Sequence, residues 1–143
     1  MNSYEFMEHT ADEKFKVKAN SLSEAFNTAV KAFYEILLGK NYDVKKTTTR
    51  EILIKAKKKE SLLYDFLNEL VFYLDESDLL LPEVKKLEVR KNDKGEYLLE
   101  AELAGDKRYD YELITEIKNV TYSEMEIKTL EDGSVEMIVV VDI

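Results

Sequence analysis

Val135-Glu136-Met137-Ile138-Val139-Val140-Val141-Asp142-Ile143 is the run that decides the fold. From Met137 to Val141 every position is apolar, so an extended chain here offers apolar side chains to both of its faces. Such a strand belongs in the middle of a sheet. Just before it, Glu131-Asp132-Gly133-Ser134 reads as a hairpin turn, which makes the preceding strand its antiparallel neighbour. The sequence stops inside this run without a polar tail. Two carboxylates are therefore expected together, the side chain of Asp142 and the terminal carboxyl of Ile143.

Working outward, Glu13 to Ala19 alternates cleanly. Phe15, Val17 and Ala19 share one face, and Lys14, Lys16 and Lys18 the other, as in a half-buried strand with a solvated face. Tyr4 to His9 reads as a shorter strand, joined to it through Thr10-Ala11-Asp12. Ser21-Leu22-Ser23-Glu24 is a capping box. The helix it opens carries Leu22, Ala25, Phe26, Ala29, Phe33, Ile36 and Leu37 in a stripe to about Leu38, where Gly39 stops it in a left-handed cap. Residues 41–49 read as a loop and Arg50 to Ala56 as a strand. Lys57-Lys58-Lys59 is read as a solvated turn rather than a phosphate patch. Ser61 is expected to cap a second helix ending between Leu74 and Ser77, with Asp65 and Glu69 as solvated carboxylates on its polar side.

Asp78-Leu79-Leu80-Leu81-Pro82 reads as an apolar loop tucked under the sheet, with an exposed sticky edge as the alternative. Val84 to Arg90 and Glu96 to Leu103 flank Asn92-Asp93-Lys94-Gly95, a hairpin turn with glycine where positive φ is needed. Ala104-Gly105-Asp106 reads as a further turn, and Tyr109 to Leu130 as one or two long strands. The expected fold class is α+β. Two amphipathic helices pack on one face of a mixed, mostly antiparallel sheet of about six or seven strands, a two-layer sandwich in a single domain spanning residues 1–143.

Composition narrows the function. The chain has 143 residues, no cysteine, one histidine and a net charge of −9. Without cysteine there is no thiol nucleophile, thiolate metal site or disulfide, which fits a cytoplasmic location. No apolar run approaches the roughly 20 residues of a membrane span, and no signal peptide is indicated. So acidic a chain is a poor holder of RNA or DNA by itself, because nucleic-acid affinity comes from cations on phosphates. It suits a cation or a basic protein partner better. Heavy use of lysine and glutamate, with no glutamine, leans towards a thermophile.

No phosphate loop, nucleophile elbow or histidine pair for zinc is present, so the chain looks unequipped as an enzyme. One constellation stands out. If the last strand pairs beside the corner at Asp12, then Asp12, Asp142 and the terminal carboxyl of Ile143 converge, an all-oxygen cluster of the kind Ca2+ or Mg2+ binds. Otherwise Asp12 is an ordinary turn residue and the terminus frays.

Phe6-Met7-Glu8-His9-Thr10-Ala11-Asp12, Leu22-Ser23-Glu24-Ala25-Phe26, Glu116-Ile117-Lys118-Asn119-Val120-Thr121-Tyr122 and Val141-Asp142-Ile143 together resemble the archease family over nearly the whole length. The resemblance implies a protein cofactor of an RtcB-type tRNA-splicing ligase, not an enzyme. That ligase joins RNA ends bearing a 2′,3′-cyclic phosphate or 3′-phosphate to 5′-hydroxyl ends. The cofactor promotes guanylylation of the ligase and its multiple turnover. The resemblance also implies a bound divalent cation, calcium first, with Mg2+ or Mn2+ as alternatives, held by Asp12, Asp142 and an oxygen of Ile143. Lys118 matches the family's motif lysine, implicated in activation. His9 matches the motif as a structural or supporting residue. Two departures stand out: Asn119 replaces a residue that is commonly small, and Tyr109-Asp110-Tyr111-Glu112 lacks a histidine that many members carry. A different reading is a chaperone-like accessory to a tRNA-modifying enzyme such as a methyltransferase, needing no metal and working through an apolar surface such as Leu79 to Leu81. A stand-alone metal-dependent hydrolase would lack both base and nucleophile.

Overall fold

The structure, a computed structural model, describes residues 2–7 and 12–143. In chain order the elements are β1 (Ser3–Met7), β2 (Asp12–Ala19), α1 (Leu22–Leu38), β3 (Thr48–Ala56), α2 (Lys59–Ser77), β4 (Leu79–Lys91) and β5 (Tyr97–Lys107). A 3-10 turn (Arg108–Asp110), β6 (Asn119–Thr129) and β7 (Val135–Asp142) follow. The α+β expectation holds: two helices pack against antiparallel strands. The strands form two sheets rather than one, a four-stranded sheet in the order β1-β2-β7-β6 and a three-stranded sheet in the order β3-β5-β4. Every pairing is antiparallel. Period-2 alternation reveals which face of a strand is buried, not which strand lies beside it, so the division was invisible in the sequence.

Each helix touches both sheets. α1 packs on β1, β2 and β7 of the larger sheet and on β4 of the smaller; α2 packs on β6 of the larger and on β3, β4 and β5 of the smaller. That is why α1 is buried on more than one side, with Ala25, Phe26, Val30, Phe33, Tyr34 and Leu37 all sealed from solvent. Phe26 of α1 meets Phe66 of α2 at 6.1 Å between ring centroids. Burying a Leu or Phe side chain fully is worth roughly 1.5–3 kcal/mol. No described helix is long and apolar enough to cross a membrane.

The local signals of the sequence account for the ends of these elements, with some corrections. The Glu24 backbone N–H donates to Ser21 Oγ at 3.2 Å, as a capping box requires, and the Ser21 hydroxyl donates in return to the Glu24 carboxylate. Gly39 ends α1 at φ 87°, but its ψ of 172° leads straight into extended chain instead of the left-handed helical region. α2 begins at Lys59, two residues before Ser61, and its N-cap Lys58 gives no side-chain cap.

Leu79-Leu80-Leu81 is not a loop. It is the buried start of β4, where the Leu81 N–H donates to the Tyr34 hydroxyl at 2.9 Å. Burial pushes the Tyr34 hydroxyl well above its usual range. Ala104-Gly105-Asp106 is not a turn either, because β5 runs through it. A Cβ on Gly105 would collide with the carbonyl of Leu80, so the glycine serves close strand approach. Between Tyr109 and Leu130 there is one strand, β6; residues 111–118 are irregular.

Candidate functional site

β7 lies between β2 and β6, as its apolar run demands. Val135, Met137, Val139 and Val141 join the core. Alternation sends Glu136, Ile138, Val140 and Asp142 to the opposite face. Register then sets the site: Asp12 of β2 is opposite Asp142, and so, from the other side, is Asn119 of β6. Directly opposed residues share a face, so one rung carries Asp12, Asp142 and Asn119 side by side. Asp12 and Asp142 are half-buried and Asn119 is exposed.

Two contacts fix this rung. The Lys118 N–H donates to the Asp142 carbonyl at 2.8 Å, which holds the exposed lysine immediately beside it. Asn119 Nδ2 donates to Asp142 Oδ2 at 3.4 Å. The side chain of Ile143 packs against the core. His9 lies outside the described residues, as do Glu8, Thr10 and Ala11.

The start of β6 is held from its outer side too. Asn68 of α2 accepts from the Val120 N–H at 2.9 Å and donates to the Val120 carbonyl at 3.2 Å. One turn earlier on α2, Tyr64 stacks on Tyr122 with ring centroids 3.9 Å apart and an interplanar angle of 3°. Beyond the rung, Lys14 of β2 reaches across β7 to Glu124 of β6 at 2.7 Å. Glu124 sits at φ 56° where the β6–β7 register shifts.

Sequence reasoning missed Asn68, which looks like any polar helix residue until its strand is in place. It also missed a cleft of about 660 Å3 lined in part by Tyr4, Lys31, Glu35, Tyr42, Lys46 and Glu83. There the Tyr4 hydroxyl donates to Glu35 Oε1 at 2.6 Å. Burial first, then that bond and the Glu35 charge, push Tyr4 up to about 12. No local pattern could have joined these residues of β1 and α1. The cleft shares no residue with the rung.

Residues 4–143 match the model of the archease protein family. The chain belongs to the archease family. It is 34% identical over 132 residues to the protein archease of Methanosarcina acetivorans, covering 91% of this chain and 89% of that protein. With the Pyrococcus abyssi protein archease it shares 35% identity over 135 residues, 93% of each chain. The solution structure of protein 1598 from Methanobacterium thermoautotrophicum superposes with a TM-score of 0.81 at 30% identity, covering 98% of both chains.

The family resemblance implies a cation between the first turn and the last strand, and the donors on the rung suit one. Asp12 and Asp142 are carboxylates on adjacent strands, with backbone oxygens of Ile143 next in line. An all-oxygen set suits a hard cation. Among the described residues no group of three or more His, Cys, Asp or Glu side chains converges to hold a metal. A cation on the rung would thus rest on two carboxylates and complete its shell with backbone and water oxygens. The flexible shell of Ca2+ and the partly hydrated shell of Mg2+ both accept that.

Proposed function

We propose that this archease-family protein is an accessory factor in tRNA splicing that activates an RtcB-type RNA ligase. It promotes guanylylation of the ligase and its multiple turnover, and it carries no catalytic residue of its own. In this reading a divalent cation, Ca2+ before Mg2+ or Mn2+, is held by Asp12, Asp142 and an oxygen of Ile143. The observation that carries the reading is the pairing of Asp12 with Asp142 on one rung beside Lys118.

The physical logic is electrostatic. A ligase that grips RNA and GTP is basic around its active site, and a partner with a net charge of −9 is drawn to such a surface by long-range attraction. The same charge argues against strong direct RNA binding. When bound, the cation supplies a positive charge that phosphate oxygens can meet. Lys118 is exposed at the same end of the sheet, with its backbone N–H tied to Asp142 of β7. Under this reading the protein works in the cytoplasm with its ligase.

The test is single- and multiple-turnover guanylylation of the cognate ligase, with and without sub-stoichiometric protein. Stimulation is expected from the wild type and is lost in Asp12→Ala and in Lys118→Ala. Full stimulation by both variants would sink the site assignment, and no stimulation by the wild type would sink the function. Leu79 to Leu81, one example of the apolar surface a chaperone-like accessory would use, are 0% exposed.

A further inference from the structure

We propose that Asn119 is a positioning residue for the cation site, acting through the carboxylate of Asp142; this rests on the cation reading above. Asp142 occupies the middle of the rung, with Asp12 on one side and Asn119 on the other. A carboxylate at the end of a strand turns freely about two side-chain bonds unless something holds it, and ordering it on chelation weakens binding. The Asn119 amide donates to Oδ2 of Asp142. Among the described residues it is the only side chain that donates to this carboxylate, and it leaves the other oxygen to a cation.

The donor is itself held in place. Its neighbour Lys118 is tied through backbone to Asp142, and its neighbour Val120 is clamped on both backbone groups by Asn68. The amide is therefore presented from a fixed stretch of strand, as the supports of metal ligands are. It is also neutral. An acid at this position would set three carboxylates on one rung, and like charges directly opposed on a sheet repel.

The experiment is calorimetric titration of the full chain with CaCl2, paired with thermal unfolding in EDTA. The proteins are the wild type, Asn119→Ala, Asn119→Gln and Asn119→Asp. Asn119→Ala is expected to weaken calcium binding about tenfold, within the range for partners that support a ligand. Its unfolding temperature in EDTA stays at the wild-type value, because Asn119 is exposed. Asn119→Gln keeps an amide donor and recovers most of the loss. Asn119→Asp has no donor and falls at least as far as Asn119→Ala. Wild-type affinity in Asn119→Ala overturns the proposal. So does an Asn119→Asp protein that binds calcium as tightly as the wild type or more so, since the side chain would then be an oxygen ligand. A wild type that binds no calcium overturns the cation reading as well. A wild type that binds, with an indifferent Asn119→Ala, overturns this inference alone.

Discussion

Both sheets place acids directly opposite one another, the three-stranded sheet at Glu51–Glu102 and at Glu88–Glu100 and the four-stranded sheet at Asp12–Asp142, and the last two rungs are held differently. In the three-stranded sheet Glu88 of β4 faces Glu100 of β5. Arg90 donates to both, at 2.8 Å and 3.3 Å, and those hydrogen bonds hold its guanidinium firmly charged. That pair carries its own cation within the chain. In the four-stranded sheet Asp12 faces Asp142, and the described side chain that meets the Asp142 carboxylate is the neutral amide of Asn119. An acidic pair answered by an arginine is complete in itself. At the Asp142 end of the second pair the described contact is a neutral amide, and that is where the proposed cation would bind.

The difference can be broken at four points. The largest effect is expected from Asp142→Ala, which removes a ligand of the proposed site. Calcium affinity, measured by calorimetry, falls by at least about a hundredfold, beyond the usual cost of losing a supporting partner. Glu100→Ala leaves calcium affinity unchanged. Next, calcium at about 100 times its dissociation constant adds about 2.7 kcal/mol to the unfolding free energy of the wild type. Asn119→Arg sets a guanidinium beside the Asp142 carboxylate, as Arg90 stands beside Glu88 and Glu100, and abolishes this increment in denaturant titrations with and without calcium. Smaller still, Asp142→Asn in EDTA removes a like-charge opposition and stabilises the chain by about 0.2–1 kcal/mol. The smallest is Arg90→Gln, which lowers Tm slightly at low ionic strength and not at 1 M NaCl, because the pair it serves is exposed and screened.

Much of this was written in the sequence. Met137 to Val141 announced an interior strand, and β7 is paired on both sides. The turns at Gly95 and Gly133 lie where the hairpin signals put them, both at positive φ. The opposition of Asp12 and Asp142 follows from that interior strand running antiparallel to the alternating one, and it was foreseen as a possibility. What stayed hidden depended on neighbours far along the chain. Leu79-Leu80-Leu81 resembles a loop until α1 supplies the Tyr34 hydroxyl for the Leu81 N–H. Gly105 resembles a turn residue until the Leu80 backbone lies against it. Asn119 was visible as an odd residue in its motif, but a partner one strand away was needed to give it a contact.

The amide of Asn68 has a consequence for how molecules of this protein behave in a crowd. β6 is the last strand of its sheet, and an unpaired strand edge is a template on which another chain can add. Asn68 occupies the N–H and the carbonyl of Val120 as a neighbouring strand would, and the Tyr64 ring lies on Tyr122 two residues further along. Helix α2 thus stands in for the strand that would otherwise arrive from a second molecule, and Asn68→Ala would open that edge to self-association and fibre growth.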